Sequence, residues 1–302
     1  MPSTEHEALV AAIIASGHPP TPETRPPLEH LQAAIQDMND TALPIDPDIE
    51  AVDGELGGVP GMWFRPAGAD ATRVVLYFHG GGYMFGTPRN TGHVTARLAR
   101  AARSNAFSVD YRLSWKAPFP APVEDALAAY QALLAGGYAP SSIALAGDSA
   151  GGGLVIATLV ALRDAGDPLP VAGFASSAFT DCTVSGDSAY KVDDPIATRA
   201  GLCMLAESYL DGADPATPLA SPLFADLHGL PPLLLQVGSR EALLDDTTRL
   251  AKSAREAGVD VTVDVLDGVI HIWQYFGPDL PETQASEAEA GEFLQHHFGA
   301  AS

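Results

Sequence analysis

The residues of this chain that could do chemistry fall in three short stretches. In Gly147-Asp148-Ser149-Ala150-Gly151 one serine stands between two glycines, at the spacing G-x-S-x-G of a nucleophile elbow. Such a turn strains the serine backbone, exposes its hydroxyl and leaves no room for side chains at the glycines. The second stretch, His79-Gly80-Gly81-Gly82, is a loop whose backbone N–H groups can turn toward a negative oxygen, because no side chain fills the space. A phosphate cradle also uses glycines, but the chain has no G-K-S/T and no G-x-G-x-x-G after a first strand. A serine hydroxyl attacks a carbonyl only when a base removes its proton and a carboxylate orients that base. Nucleophile and oxyanion loop together point to acyl transfer.

The base and acid are sought downstream, in the order serine, acid, histidine. Of the histidines after Ser149, His296 and His297 sit in a helical tail, and His228 lies in a loop that enters a strand. His271 follows the strand-like VDVTVDVL and the turn residues Asp267-Gly268, so it emerges at the carboxyl edge of a sheet. For the acid, Glu241 lies in the turn directly after LLLQVG. Asp245 and Asp246 come one helical turn later and read equally well as residues charging the start of the next helix. Glu241 is the first choice and Asp245 the second.

These residues need a frame that brings them to one edge. Short apolar runs at 74–80, 106–113, 143–147, 171–179, 231–238 and 259–268 alternate with helical patterns at 92–102, 123–137 and 153–166, and in the stretch ending near 258. Runs apolar on both sides, alternating with helices, predict a mostly parallel α/β sheet covered on both faces. Ligands bind at the carboxyl ends of such strands, where Gly80, Gly147 and Gly238 all fall. The segments 49–56 and 62–65, joined through GGVPG, predict an antiparallel hairpin. Two segments stand outside the alternation: the first 45 residues, helical around a proline-rich break at 18–27, and 183–222. Both are candidates for a cap.

The 302 residues carry 38 acidic and 16 basic side chains, a net charge of −22. That surface repels phosphate backbones and anionic headgroups, so neither nucleic acid nor membrane is an expected partner. The acid-rich, lysine-poor balance fits a saline habitat and a GC-rich genome alike. No apolar stretch reaches membrane-helix length, and the amino terminus lacks the basic start of a signal peptide. Two cysteines, Cys182 and Cys203, read as reduced thiols of a cytoplasmic protein.

With HGGG at 79–82 and GDSAGG at 147–152, the chain resembles the hormone-sensitive-lipase-like esterases, the bacterial family IV of α/β-hydrolases. VDYRL (109–113), PFPAPVEDA (118–126), ASPLFADLHGLPPLLLQVG (220–238) and HIW (271–273) extend the resemblance over about residues 59–280. It implies an α/β-hydrolase fold with an eight-stranded sheet, its core at 46–182 and 223–302, and a helical cap from 1–45 and 183–222. It implies Ser149 as nucleophile, His271 as base, Glu241 as acid, and an oxyanion hole of the Gly80, Gly81 and Ala150 amides, with His79 bracing the loop. The implied reaction is hydrolysis of short- to medium-chain carboxylic esters without metal or cofactor. Candidate pocket walls are Tyr83, Met84, Phe85, Trp115, Tyr190, Ile196 and Leu205. Two departures stand out. Glu241-Ala-Leu replaces the usual Asp-Pro-Leu, and Ser114-Trp115-Lys116 replaces Ala-Pro-Glu after VDYRL. Lactone or amide hydrolysis at the same site is one alternative; small-molecule binding without catalysis, as in the plant gibberellin receptors that share this fold, is another. The edge-like VDVTVDV (259–265) reads either as a homodimer contact of the kind the family uses or as an edge guarded by its aspartates.

Overall fold

The apolar runs become the strands of one sheet, and the helical patterns cover it. The structure, a computed structural model, describes residues 1–16 and 21–300, Ala300 by its backbone alone. The start of the proline-rich break, 18–20, lies outside the described residues. Helices α1 (Thr4–Ala15) and α2 (Leu28–Asp40) come first. The hairpin β1 (Ile49–Leu56) and β2 (Val59–Pro66) follows, turned at Gly57 and Gly58, both at positive φ, 62° and 82°. Glycine takes that conformation without the Cβ penalty, and a two-residue turn of this hand matches strand twist. Four elements follow in alternation: β3 (Asp70–Phe78), α3 (Gly92–Ala101), β4 (Ser104–Val109) and α4 (Ala121–Ala135). Next are β5 (Ile143–Asp148), α5 (Ala150–Ala165), β6 (Ala172–Ser176), and then α6 (Ser188–Lys191) and α7 (Arg199–Leu210). The chain closes with β7 (Leu233–Gly238), α8 (Leu244–Glu256), β8 (Val261–Leu266), α9 (Trp273–Phe276) and α10 (Pro281–Ala300).

The eight strands lie in the order β1-β2-β4-β3-β5-β6-β7-β8. Only the β1–β2 and β2–β4 pairings are antiparallel; β4-β3-β5-β6-β7-β8 run parallel. Every residue of β5 and β7 is buried, because helices cover both faces of the parallel part. Alternate residues feed two cores. Val74, Leu76, Phe78, Ile143 and Leu145 pack with α4 and α5, while Val75, Tyr77, Ala144, Ala146 and Leu234 pack with α3 and α10. This is the α/β-hydrolase fold expected from the alternation and the resemblance.

The two segments outside the alternation come together over the carboxyl edge. In α1, Val10 and Ile13 pack on Ile196, Val269, Ile270 and Trp273. In α2, Leu31 packs with Met84 and with Met204 and Leu205 of α7. Thr21 donates its N–H and its hydroxyl to the Ile196 carbonyl, both at 2.9 Å. Local signals start these helices. Ser3 accepts the His6 amide as N-cap of α1, and Thr198 accepts the Gly201 amide as N-cap of α7.

Candidate active site

Three strand ends deliver the reactive groups. Ser149 follows β5 at φ 50°, ψ −120°, outside the ordinary regions for a side-chain-bearing residue, at a cost of about 1–3 kcal/mol. The turn survives because its neighbours lack side chains. A Cβ on Gly151 would lie 1.9 Å from the Phe78 carbonyl oxygen, and one on Gly147 2.5 Å from the Gly151 carbonyl oxygen. The turn also places Ser149 at the start of α5, where the helix dipole favours negative charge.

His271 comes from the loop after β8, and its Nε2 lies 3.1 Å from Ser149 Oγ. Its Nδ1 lies 2.8 Å from Glu241 Oε2, with Glu241 in the turn after β7. The second carboxylate oxygen is held as well: Oε1 accepts the Gly238 amide at 2.6 Å and the Ser177 hydroxyl at 2.8 Å. Asp245 faces elsewhere, since its carboxylate accepts the Ser188 amide at 2.9 Å. Asp246 is turned toward the Thr180 and Asp181 amides. Glu241 and His271 are both almost wholly buried. Burial raises the Glu241 carboxyl above its ordinary pKa, against the hydrogen bond from His271. Burial opposes protonation of His271 as well, but the hydrogen bond and charge of Glu241 outweigh it and hold the imidazole above its ordinary value.

In the glycine loop one of the three expected donors has an acceptor within the protein. The Gly80 amide is already engaged, donating to Asp148 Oδ1 at 3.1 Å. Among the described residues no acceptor meets the amides of Gly81, Gly82 or Ala150. Gly81 has φ 109°, and a Cβ there would sit 2.4 Å from the Phe85 carbonyl oxygen. Beneath the loop His79 is buried and stacked on Tyr111, ring centroids 4.3 Å apart. Burial pushes the His79 pKa down to about 4. The ring is therefore neutral, and its Nδ1 lies 2.8 Å from the Gly80 carbonyl oxygen, so it donates there.

A cavity of about 600 Å³ opens over Ser149 and His271. Phe85, Ile196 and Leu205 line it, as expected, together with Leu202, Ile272 and Phe276, which no sequence motif points to. The other four expected wall residues lie off it. Tyr83 is buried against Tyr209, with stacked centroids 3.7 Å apart. Met84 is wholly buried between α2 and α7. Trp115 packs on that same cluster, and its indole N–H donates to the Met84 carbonyl. Tyr190 is 62% exposed and pairs with Arg199 on the surface. The error has one cause: being apolar and near a motif says nothing about which way a side chain points.

Sequence reasoning also missed two supports. Ser177, at the end of β6, steadies Glu241; its place at a strand's carboxyl end was the available signal. Asp194 accepts the amides of Ile196 and Ala197 through Oδ1, and that of Ala242 through Oδ2. It thereby ties the cavity wall to the turn that carries Glu241, and no local pattern announces it.

Cys182 and Cys203 are free thiols. Among the described residues no group of three or more His, Cys, Asp or Glu side chains could hold a metal ion, and no helix is long and apolar enough to cross a membrane.

The sequence profile of the α/β-hydrolase fold matches residues 75–275. An acetyl-hydrolase of Streptomyces hygroscopicus is 44% identical over 82% of this chain and 86% of its own length. An esterase of Acinetobacter venetianus is 32% identical over 83% and 84%. A crystal structure of an esterase from the bacterial hormone-sensitive lipase family superposes with a TM-score of 0.92 at 44% identity, covering 99% of both chains. The esterase EstE5, in a crystal soaked with p-nitrophenyl butyrate, gives 0.92 at 38% identity over 98% of this chain and 99% of its own.

Proposed function

The chain belongs to the hormone-sensitive-lipase-like esterases of the α/β-hydrolase superfamily, and on that footing we propose that it cleaves short- to medium-chain acyl esters through Ser149, His271, Glu241 and an acyl-enzyme. Hydrolysis of carboxylic esters is the activity its relatives carry. The observation that carries the finer reading is the unbroken line of contacts from Ser149 Oγ through His271 to the buried Glu241 carboxylate.

His271 Nε2 takes the proton of Ser149 as Oγ attacks the ester carbonyl. The negative oxygen of the tetrahedral intermediate is met by the amides of Gly81, Gly82 and Ala150, which replace the Gly80, Gly81 and Ala150 set because the Gly80 amide is spent on Asp148. Donors fixed before the reaction stabilise that charge without reorganisation. His271 then protonates the departing alcohol, and Ser149 is left acylated. Water enters, gives its proton to His271 and attacks the acyl carbonyl; the proton returns to Ser149 as the acid leaves. Glu241 holds the imidazole in the tautomer that presents Nε2 to the serine and stabilises its cation. The cavity suits a neutral ester, and α1, α2 and α7 act as its cap.

The test is hydrolysis of a p-nitrophenyl series from acetate to decanoate, with matched lactone and amide substrates alongside. The wild type is expected to turn over the shorter esters, and Ser149→Ala to lose activity by ~10⁴-fold or more. A protein inert on every ester but still binding them would replace this reading with a binding role.

A further inference from the structure

We propose that the Asp148 carboxylate is a positioning residue that registers the glycine loop, the nucleophile elbow and the histidine loop against one another. The inference rests on the triad and oxyanion assignment above and adds what holds their parts in place. Asp148 directly precedes Ser149, and it is 2% exposed. Its Oδ1 accepts three hydrogen bonds: from the Tyr77 hydroxyl at 2.6 Å, the Tyr275 hydroxyl at 3.0 Å and the Gly80 amide at 3.1 Å. Each donor belongs to a different part of the site. Tyr77 is the penultimate residue of β3 and fixes the carboxylate to the sheet. Gly80 stands next to Gly81, so its amide bond sets the direction from which the following N–H groups face Ser149. Tyr275 lies in α9, one helical turn beyond His271, on a loop that bends at Ile272 with φ 47°.

Three donors on one oxygen exceed what a neutral carbonyl with two lone pairs accepts well, whereas a carboxylate carries the negative charge that strengthens each of them. The other oxygen, Oδ2, has no hydrogen-bond partner among the described residues. A Cβ on Gly80 would come within 2.2 Å of it, so the glycine lets the loop close down on the carboxylate. Burial pushes its pKa up to about 6, against the three hydrogen bonds and the charge of His271. A buried carboxylate is costly unless hydrogen bonds compensate it, and here all three of its donors come from the parts of the site. The shared acceptor makes the oxyanion donors and the base move as one unit with the nucleophile.

The experiment compares wild type, Asp148→Asn, Asp148→Ala and Tyr275→Phe. Active serines are first titrated with a p-nitrophenyl phosphonate, so that every rate is expressed per competent site. We expect Tyr275→Phe to keep a titratable Ser149 and a KM within about twofold, while kcat per site falls about tenfold, as small misplacements of catalytic groups cost rate rather than ground-state binding. Asp148→Ala should fall about a hundredfold, the scale of losing an oxyanion donor, and Asp148→Asn, which keeps one acceptor, should lie between. Inhibition by a trifluoromethyl ketone, which forms the tetrahedral oxyanion on Ser149, should weaken in step with kcat/KM. If Asp148→Ala does not fold, Tyr275→Phe decides alone, since it removes one hydroxyl and no charge. An active wild type with unchanged kcat per site in Tyr275→Phe, or with only KM altered, overturns this inference and leaves the triad standing. A wild type whose Ser149 does not react with the phosphonate overturns the triad reading, and this inference with it.

Discussion

At Glu241 one methylene decides how the carboxylate facing His271 is held. A glutamate reaches farther than the aspartate found at this position in the resembling family, and here the added length is absorbed by anchoring Oε1 to Gly238 and Ser177 while Oε2 faces His271. Two consequences are measurable. Because Glu241 holds His271 above the ordinary imidazole value of about 6.5, the protonated and inactive base persists to higher pH. The acid limb of kcat/KM should therefore have its midpoint above pH 6.5. Glu241→Gln removes the charge that favours the imidazolium, so that limb should shift to lower pH while the maximal rate drops ~10³-fold, the tautomer being no longer fixed. Asp245→Asn, on a carboxylate turned toward Ser188, should stay within about twofold of wild type. A limb unmoved by Glu241→Gln would sink the acid assignment.

The strand-turn-helix from β5 to α5 behaves as one element whose glycines are fixed by neighbours far away in the chain. Gly151 sits against the carbonyls of Phe78 and His79, so β3, the glycine loop and α5 close on a single point. Gly151→Ala is expected to cost about 3 kcal/mol or more, since backbone cannot yield as a flexible side chain does. Thermal unfolding should read this as a large fall in Tm. A variant with wild-type Tm would mean that the turn is looser than its geometry. The helix α1 acts at the same scale: it packs on Ile270, beside His271, and on Ile196 of the cavity wall. One short helix thereby backs both the loop that carries His271 and one residue of the cavity wall.

Over the whole molecule the net charge of −22 is the dominant long-range term. Many acidic groups have a cationic neighbour, as in Arg97 with Glu287 and Arg112 with Asp125, but 38 against 16 leaves most of the surface self-repelling. Salt screens such repulsion over about 10 Å at 0.1 M. The Tm should accordingly rise between ~10 mM and ~0.5 M NaCl, by roughly 2–3 °C, about 1–2 kcal/mol for a chain of this size. A flat or falling Tm would mean that the local pairs carry more of the stability than the overall field does.

The sequence by itself determined whatever is encoded in local period and local crowding. Apolar runs of strand length between helical patterns dictate a covered, mostly parallel sheet. A serine between two glycines at a strand-helix junction, a histidine past the last strand and an HGGG loop are short-range signals, and the chain brings all three to the carboxyl edge. Only the tertiary structure separates the two candidate acids, because Glu241 and Asp245 lie one helical turn apart and differ in which way they face: toward His271 and toward Ser188. It also decided that the Gly80 amide is spent on Asp148, a residue 68 positions away, which moves the free donors to Gly81 and Gly82. It likewise sorted the cavity wall, turning Tyr83, Met84 and Trp115 into the packing and Tyr190 out to solvent. A side chain's direction depends on what packs against it from elsewhere in the chain, and no local window contains that information.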